Sequence, residues 1–196
     1  ETLSALDPNS TSAINLYGNR LGQTITGNAG KNLISDGGKG APDILIGLGG
    51  DDIYRVYNAG TAITEGAAQG TLDTVQAAVS YTLKAGVHVE ALRTIDTAAK
   101  TALSLYGNEL NQTITGNAGA NALRGYDGDD TVNGGAGDDR IAGGRGNDTL
   151  AGNTGADTYY FSYALNGSTN VDTIKGFSGI DLISLSSAIF TKAGPA

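Results

Sequence analysis

The sequence predicts an all-β protein, a parallel β-solenoid wound from short Gly/Asp-rich repeats. Three observations predict it. Glycine supplies 31 of the 196 residues, more than twice the usual share of roughly 7%. From Gly116 the chain runs through five consecutive nonapeptides without insertion: GNAGANALR, GYDGDDTVN, GGAGDDRIA, GGRGNDTLA and GNTGADTYY. The chain also repeats itself at an offset of 89 residues, with Glu1 to Asn32 aligning gaplessly on Glu90 to Asn121 at 18 of 32 identities. Internal periods of this kind define repeat architectures.

The first element, 1–17, reads as the end of a preceding unit, because Leu3 and Leu6 match Leu92 and Ile95. More copies are therefore expected upstream. The chain opens at Glu1 with no basic or apolar leader, so a fragment without a cleavable signal is expected. Residues 18–55 form a first, degenerate block: GNRLGQTIT, GNAGKNLIS, an extra Asp36, GGKGAPDILI with one insertion, then GLGGDDIYR. Only Asp43 and Asp52 fall at or near the sixth position there. Residues 56–104 lose the nine-residue period and read as a connecting segment of short strands at Ala62–Glu65, Thr74–Leu83 and Val89–Ile95.

The second, regular block spans 105–160. It opens with GNELNQTIT as a degenerate turn and continues through the five nonapeptides. Gly holds positions one and four throughout. Position six reads Asn121, Asp130, Asp139, Asp148, Asp157, and position eight reads Leu123, Val132, Ile141, Leu150, Tyr159. Six residues with two obligatory glycines make a turn, where positive φ or close backbone approach is needed. The remaining three suit a short strand with one large apolar side chain facing inward. Two turns and two strands close an 18-residue coil, and coils stack ~4.8 Å apart through parallel ladders. Alternate turns therefore stack, 125–130 under 143–148 on one edge and 116–121, 134–139 and 152–157 on the other.

That stacking aligns oxygen. Position-six carboxylates would meet turn carbonyls from Gly116, Asn117 and Gly119, from Gly125, Asp127 and Gly128, and from Gly134, Gly135 and Gly137. Gly143, Gly144 and Gly146, then Gly152, Asn153 and Gly155, continue the series. The donors are all oxygen and the geometry is flexible, which suits several Ca²⁺ ions rather than Zn²⁺. Bare carboxylates ~5 Å apart repel by roughly 3 kcal/mol at an effective dielectric of ~20. Closure of the array is thus expected to require the cation, so that metal binding becomes folding.

Composition excludes other classes. Net charge is −8, with 20 acids against 12 bases, which argues against nucleic acid and anionic membranes. No apolar run approaches the ~20 residues of a spanning helix, and the absence of Cys removes disulfides and thiolate metal sites. His88, the single histidine, lies in an alternating strand pattern and excludes an HExxH zinc centre within the chain. Neither a nucleophile elbow nor a P-loop is present. Residues 127–133 lack the Gly and distal Glu of an EF-hand. The position-five acids beside position six, such as Asp129, read as solvated charges. Sequons at Asn9, Asn111, Asn147 and Asn166 read as chance matches, and the chain is expected to be non-catalytic.

The nonapeptides match G-G-x-G-x-D-x-U-x, the signature of RTX proteins. The chain resembles the RTX (repeats-in-toxin, haemolysin-type) calcium-binding family over about 18–55 and 107–160. The tail, 161–196, is similar to the segment capping the roll in serralysin-type and other RTX exoproteins, with Phe161, Asp172, Ile174, Phe177, Asp181, Ile183 and Leu185 in the matching places. The resemblance implies a right-handed parallel β-roll, with Asp172 and Asp181 as further ligands. It also implies a secreted, extracellular bacterial module, exported unfolded by type I secretion machinery. Such a module folds in external calcium and stabilises its parent protein. A repeat of an adhesin or surface-layer protein, or a polysaccharide-binding module with glycan or cell-surface contacts, is the alternative reading.

Overall fold

A computed structural model describes residues 1–164 and 167–189 of the chain. The sequon at Asn166 and the last residues of the expected cap, 190–196, lie outside the described residues. Every regular element among the described residues is a strand. The chain forms two compact units, Glu1–Asp96 and Thr97–Ala196, each a parallel β-solenoid.

The first unit contains β1 (Thr2–Ser4), β2 (Ile14–Tyr17), β3 (Thr24–Thr26), β4 (Asn32–Ser35), β5 (Ile44–Ile46), β6 (Ile53–Val56), β7 (Ala62–Thr64), β8 (Thr74–Ala77), β9 (Tyr81–Thr82) and β10 (Ala91–Thr94). Successive strands join different ladders: β1–β3–β5–β7 on one side, β2–β4–β6–β8–β10 on the other, all parallel. The second unit contains β11 (Ser104–Tyr106), β12 (Thr113–Thr115), β13 (Ala122–Asp127), β14 (Thr131–Ala136), β15 (Arg140–Arg145), β16 (Thr149–Thr154), β17 (Thr158–Phe161), β18 (Thr173–Lys175) and β19 (Leu182–Leu185). Its ladders are β11–β13–β15–β17–β19 and β12–β14–β16–β18. Within each ladder a strand pairs with the next but one in sequence. One coil is therefore two strands and two turns, as the nine-residue period predicts.

Register follows the repeat. Leu123 lies opposite Ile141, eighteen residues on, and Val132 opposite Leu150. The position-eight side chains Ile114, Leu123, Val132, Ile141, Leu150 and Tyr159 are buried in the second unit, as Ile25, Ile34, Leu45 and Tyr54 are in the first. Each contributes roughly 1.5–3 kcal/mol by burial.

Two segments differ from expectation. Residues 56–96 keep winding after the nonapeptides stop, because β6, β8 and β10 continue one ladder, with Tyr54 opposite Val75 and Val75 opposite Leu92. The coil length varies, 21 residues from Ile53 to Thr74 and then 17 from Thr74 to Ala91. The strand expected over Thr74–Leu83 breaks into β8 and β9, since a corner must come before the chain can turn into the next face. The inserted Asp36 serves a corner as well. Its carboxylate accepts from Tyr57 N–H, Asn58 N–H and the Thr61 hydroxyl at 2.9–3.0 Å.

At the other end, β18 and β19 extend the two ladders, placing Leu150 opposite Ile174 and Tyr159 opposite Ile183. Phe177 packs on Tyr159 with ring centroids 5.9 Å apart. Ile180, Leu182, Ile183 and Leu185 remain at least half exposed. The segment adds a last coil, and its own apolar groups stay largely uncovered.

Candidate metal centre

Each turn of the second unit ends on a position-six residue whose side chain turns inward. Its first oxygen accepts the backbone N–H of the equivalent residue one coil earlier. On one edge Gln112 N–H donates to Asp130 Oδ1 at 2.7 Å, Asp130 N–H to Asp148 Oδ1 at 2.9 Å, and Asp148 N–H to Asp172 Oδ1 at 3.0 Å. On the other, Asn121 N–H donates to Asp139 Oδ1, Asp139 N–H to Asp157 Oδ1 and Asp157 N–H to Asp181 Oδ1, at 2.7–3.0 Å. Two unbroken columns result. Asp130 and Asp148 share one and Asp139 and Asp157 the other, which is the alternation the 18-residue coil requires.

The second oxygens are left over. Asp130, Asp139, Asp148 and Asp157 each hold Oδ2 buried without a hydrogen-bond partner, and so do Asp43 and Asp52 in the first unit. Except in Asp43, whose Oδ2 faces Gly18 one coil earlier, these atoms face the glycine that opens their own turn. A Cβ on Gly125 would strike Asp130 Oδ2 and the Gly143 carbonyl oxygen. Gly134 meets Asp139 Oδ2 and the Gly152 carbonyl in the same way, while Gly143 and Gly152 would strike Asp148 and Asp157. A carboxylate oxygen and a carbonyl oxygen thus converge in a space that only glycine leaves open. Orphaned buried oxygens together with carbonyls form a hard, all-oxygen donor set, which fits calcium.

The two glycine positions have different causes. Gly128, Gly137, Gly146 and Gly155, at position four, all have φ between 96° and 136°. Position one needs glycine for space. Position two is also left-handed: Gly135 and Gly144 supply it, yet Tyr126 (φ 90°), Asn153 (φ 70°) and Leu48 (φ 80°) hold it as well.

Burial penalises the charged form of these acids, so without a cation it favours the proton. It pushes Asp130 up to about 8, Asp139 to about 7 and Asp148 to about 6, with neighbouring carboxylates adding to the rise. Asp157, Asp172 and Asp43 move the same way for the same cause. Asp181 moves down, because backbone N–H groups of Asp157 and Ser178 hold its charge.

Other candidates stand apart from the columns. Asp127 is half exposed and faces Arg145 at 3.5 Å. The position-five side chains build an outer ladder: Asp129 Oδ1 accepts from Asn147 N–H, Asn147 Oδ1 from Val171 N–H, and Asp138 Oδ1 from Ala156 N–H. In the first unit Asn32 N–H donates to Asp52 Oδ1 and Gln23 N–H to Asp43 Oδ1, both at 2.7 Å. Asp52 N–H then donates to Asp73 Oδ1 at 2.7 Å, and Asp73 N–H to Glu90 Oε2 at 2.7 Å. Asp73, Glu90 and Glu65 were not among the expected ligands. The signal for Asp73 was an acid two residues before a buried apolar residue: Asp73-Thr74-Val75 repeats Asp130-Thr131-Val132 and Asp148-Thr149-Leu150.

The family model of the RTX calcium-binding nonapeptide repeat matches in four copies, over residues 106–141 and 133–162. The chain carries RTX calcium-binding repeats. No curated protein matches it. The match takes in Asp130, Asp139, Asp148 and Asp157 of the two columns and stops before Asp172 and Asp181; the second unit is thus a calcium-binding β-roll.

Proposed function

We propose that the chain is a calcium-dependent folding module of a secreted bacterial protein. In this reading ions sit in the turn stacks of the RTX repeats. Asp130 and Asp148 serve one edge, and Asn121, Asp139 and Asp157 the other. Asp172 and Asp181 close the columns, and the position-one glycine carbonyls complete the cage. Asp43 and Asp52 serve fewer sites in the first unit. The calcium ion supplies the charge that turns stacked carboxylates from mutual repulsion to mutual attraction.

The observation that carries this reading is the set of buried, unpartnered Oδ2 atoms. An ionised oxygen without a partner in that setting is costly, so the fold and the cation belong together. Such coupling suits export through a type I channel. The chain stays unfolded in a calcium-poor cytosol and orders outside, where calcium saturates sites of the ~10⁻⁴–10⁻³ M class. The folded roll then stabilises the parent protein.

Far-UV circular dichroism tests this. Excess EGTA at neutral pH is expected to leave mostly disorder, and millimolar calcium to restore the β signal, with magnesium a poor substitute. A spectrum indifferent to chelation overturns the proposal.

One observation favours a second reading, glycan binding. A cavity of about 250 Å³ on the second unit is lined by Tyr106, Arg124, Tyr126, Arg140 and Tyr160. Arg124 lies 4.4 Å over the Tyr126 ring, and Tyr106 meets that ring edge-on at 6.4 Å. Aromatic faces beside guanidinium groups suit an acidic polysaccharide. Affinity for an acidic over a neutral polysaccharide, lost in Arg124→Ala, would support it.

A further inference from the structure

The first unit holds a carboxylate cluster that the nonapeptide pattern does not account for. Asp52, Glu65 and Asp73 each bring a carboxylate oxygen within 4.8 Å of the others, and all three side chains are buried. Asp52 precedes β6 and Asp73 precedes β8, one coil apart. Glu65 arrives from the other ladder. It follows β7, and the register of Ile46 opposite Thr64 sets it over Gly47. Gly47 opens the turn that ends at Asp52. A Cβ there would strike Asp52 Oδ2, the Tyr54 hydroxyl and the Glu65 carboxylate.

Glu65 therefore occupies the place that Gly143 holds over Gly125 in the RTX repeats. There the coil contributes only a carbonyl to the turn interior. Here it contributes a carboxylate.

Two atoms point to an occupant. Asp52 is 0% exposed and Glu65 3% exposed, and both Asp52 Oδ2 and Glu65 Oε1 are buried without a hydrogen-bond partner. The Tyr54 hydroxyl donates to Glu65 Oε2, which orients the carboxylate and leaves Oε1 bare. The main charges acting on the three groups are themselves carboxylates, Asp51, Asp52, Asp73 and Glu90. Hard oxygen donors with no nitrogen or sulfur among them select a hard cation. A buried site suits calcium better than magnesium, which holds its hydration shell.

We infer that Asp52, Glu65 and Asp73, with Glu65 oriented by Tyr54, form a site for a divalent cation of the calcium class that the nonapeptide pattern does not complete. Asp52 is the one member the nonapeptides reach. The site would anchor the coils formed by residues 47–77, across the point after Arg55 where the repeats lapse.

Crystals of the full chain grown in calcium and soaked with Tb³⁺ provide the test, by anomalous scattering. A peak among Asp52, Glu65 and Asp73 is expected. Peaks in the turns of 116–157 with none at this cluster overturn the inference and leave the proposed function standing; the three groups then share protons. A peak here with none in those turns supports the inference while removing the proposed function. Equilibrium dialysis gives a second reading. Glu65→Gln is expected to bind one calcium ion fewer than wild type, and Tyr54→Phe to weaken that ion roughly ten- to hundredfold. Equal stoichiometry and affinity in Glu65→Gln overturn the inference. If either variant fails to fold, the wild-type peak decides.

Discussion

Acidifying the calcium-free chain should fold it. The position-six carboxyls of the second unit carry folded-state pKa values raised by burial, about 8 for Asp130, 7 for Asp139 and 6 for Asp148. In the unfolded chain an aspartate titrates near ~3.9. Between those limits the folded chain holds protons that the unfolded chain has released. Stability from a raised pKa is fully present below the unfolded value and is lost as pH rises through the folded value. Each extra proton changes the folding constant about tenfold per pH unit. Three such groups approach a thousandfold between about pH 5 and 6, and Asp52 and Asp73, both pushed to about 6, steepen the trend for the first unit. The calcium-free chain should therefore gain far-UV β signal on moving from pH 7.5 to pH 5. Calcium should reverse the dependence, because the ion displaces those protons, so apparent affinity should climb from pH 6 to pH 8. A calcium-free chain that gains structure as pH rises, or ignores pH, would refute the argument that unpartnered Oδ2 atoms oppose folding.

Gly125→Ala should abolish calcium binding in its turn, since the new Cβ strikes Asp130 Oδ2 and the Gly143 carbonyl; calorimetric stoichiometry equal to wild type would contradict this. Asp130→Ala/Asp148→Ala should lose little more calcium than either single variant, because both carboxylates stand in one column, whereas Asp130→Ala/Asp139→Ala should lose ions from both edges. Strong coupling of the adjacent pair instead would sink the two-edged arrangement. Leu48→Gly should raise the melting temperature of the calcium-loaded chain. It relieves a left-handed residue at φ 80°, worth ~1–2 kcal/mol or a few degrees at ~2–4 °C per kcal/mol, and a fall in melting temperature would show that Leu48 packing outweighs the strain.

The second unit was legible because local and global periods coincide there. Nine residues make half a coil, so Gly, Asp and apolar positions recur in sequence as they recur in space, and Asp130 needs only counting to be set under Asp148. Asp172 and Asp181 were reached through the tail resemblance, although 24 residues separate each from its column partner. The first unit hides the same columns behind uneven coils. From Asn32 to Asp52 the step is 20 residues, and from Asp52 to Asp73 it is 21. A search for nines stops at Arg55 and reads residues 56–104 as connection.

What a coil must conserve is its phase on return, and length is free between the corners. A longer turn is tolerated if it brings an acid back one residue before a strand whose second residue is buried. Asp73-Thr74-Val75 and Glu90-Ala91-Leu92 both satisfy that rule, and their side chains accept the N–H groups of Asp52 and Asp73. Glu65 escapes even this rule. It follows a strand, at a place the repeats reserve for glycine, and nothing in its local sequence marks it. Only the pairing of β5 with β7 brings it over Gly47, so its chemistry is set by a neighbour eighteen residues away. Sites assembled within one turn can be read from spacing. A site assembled between coils, as Asp52 and Glu65 are, becomes visible only when the register is known.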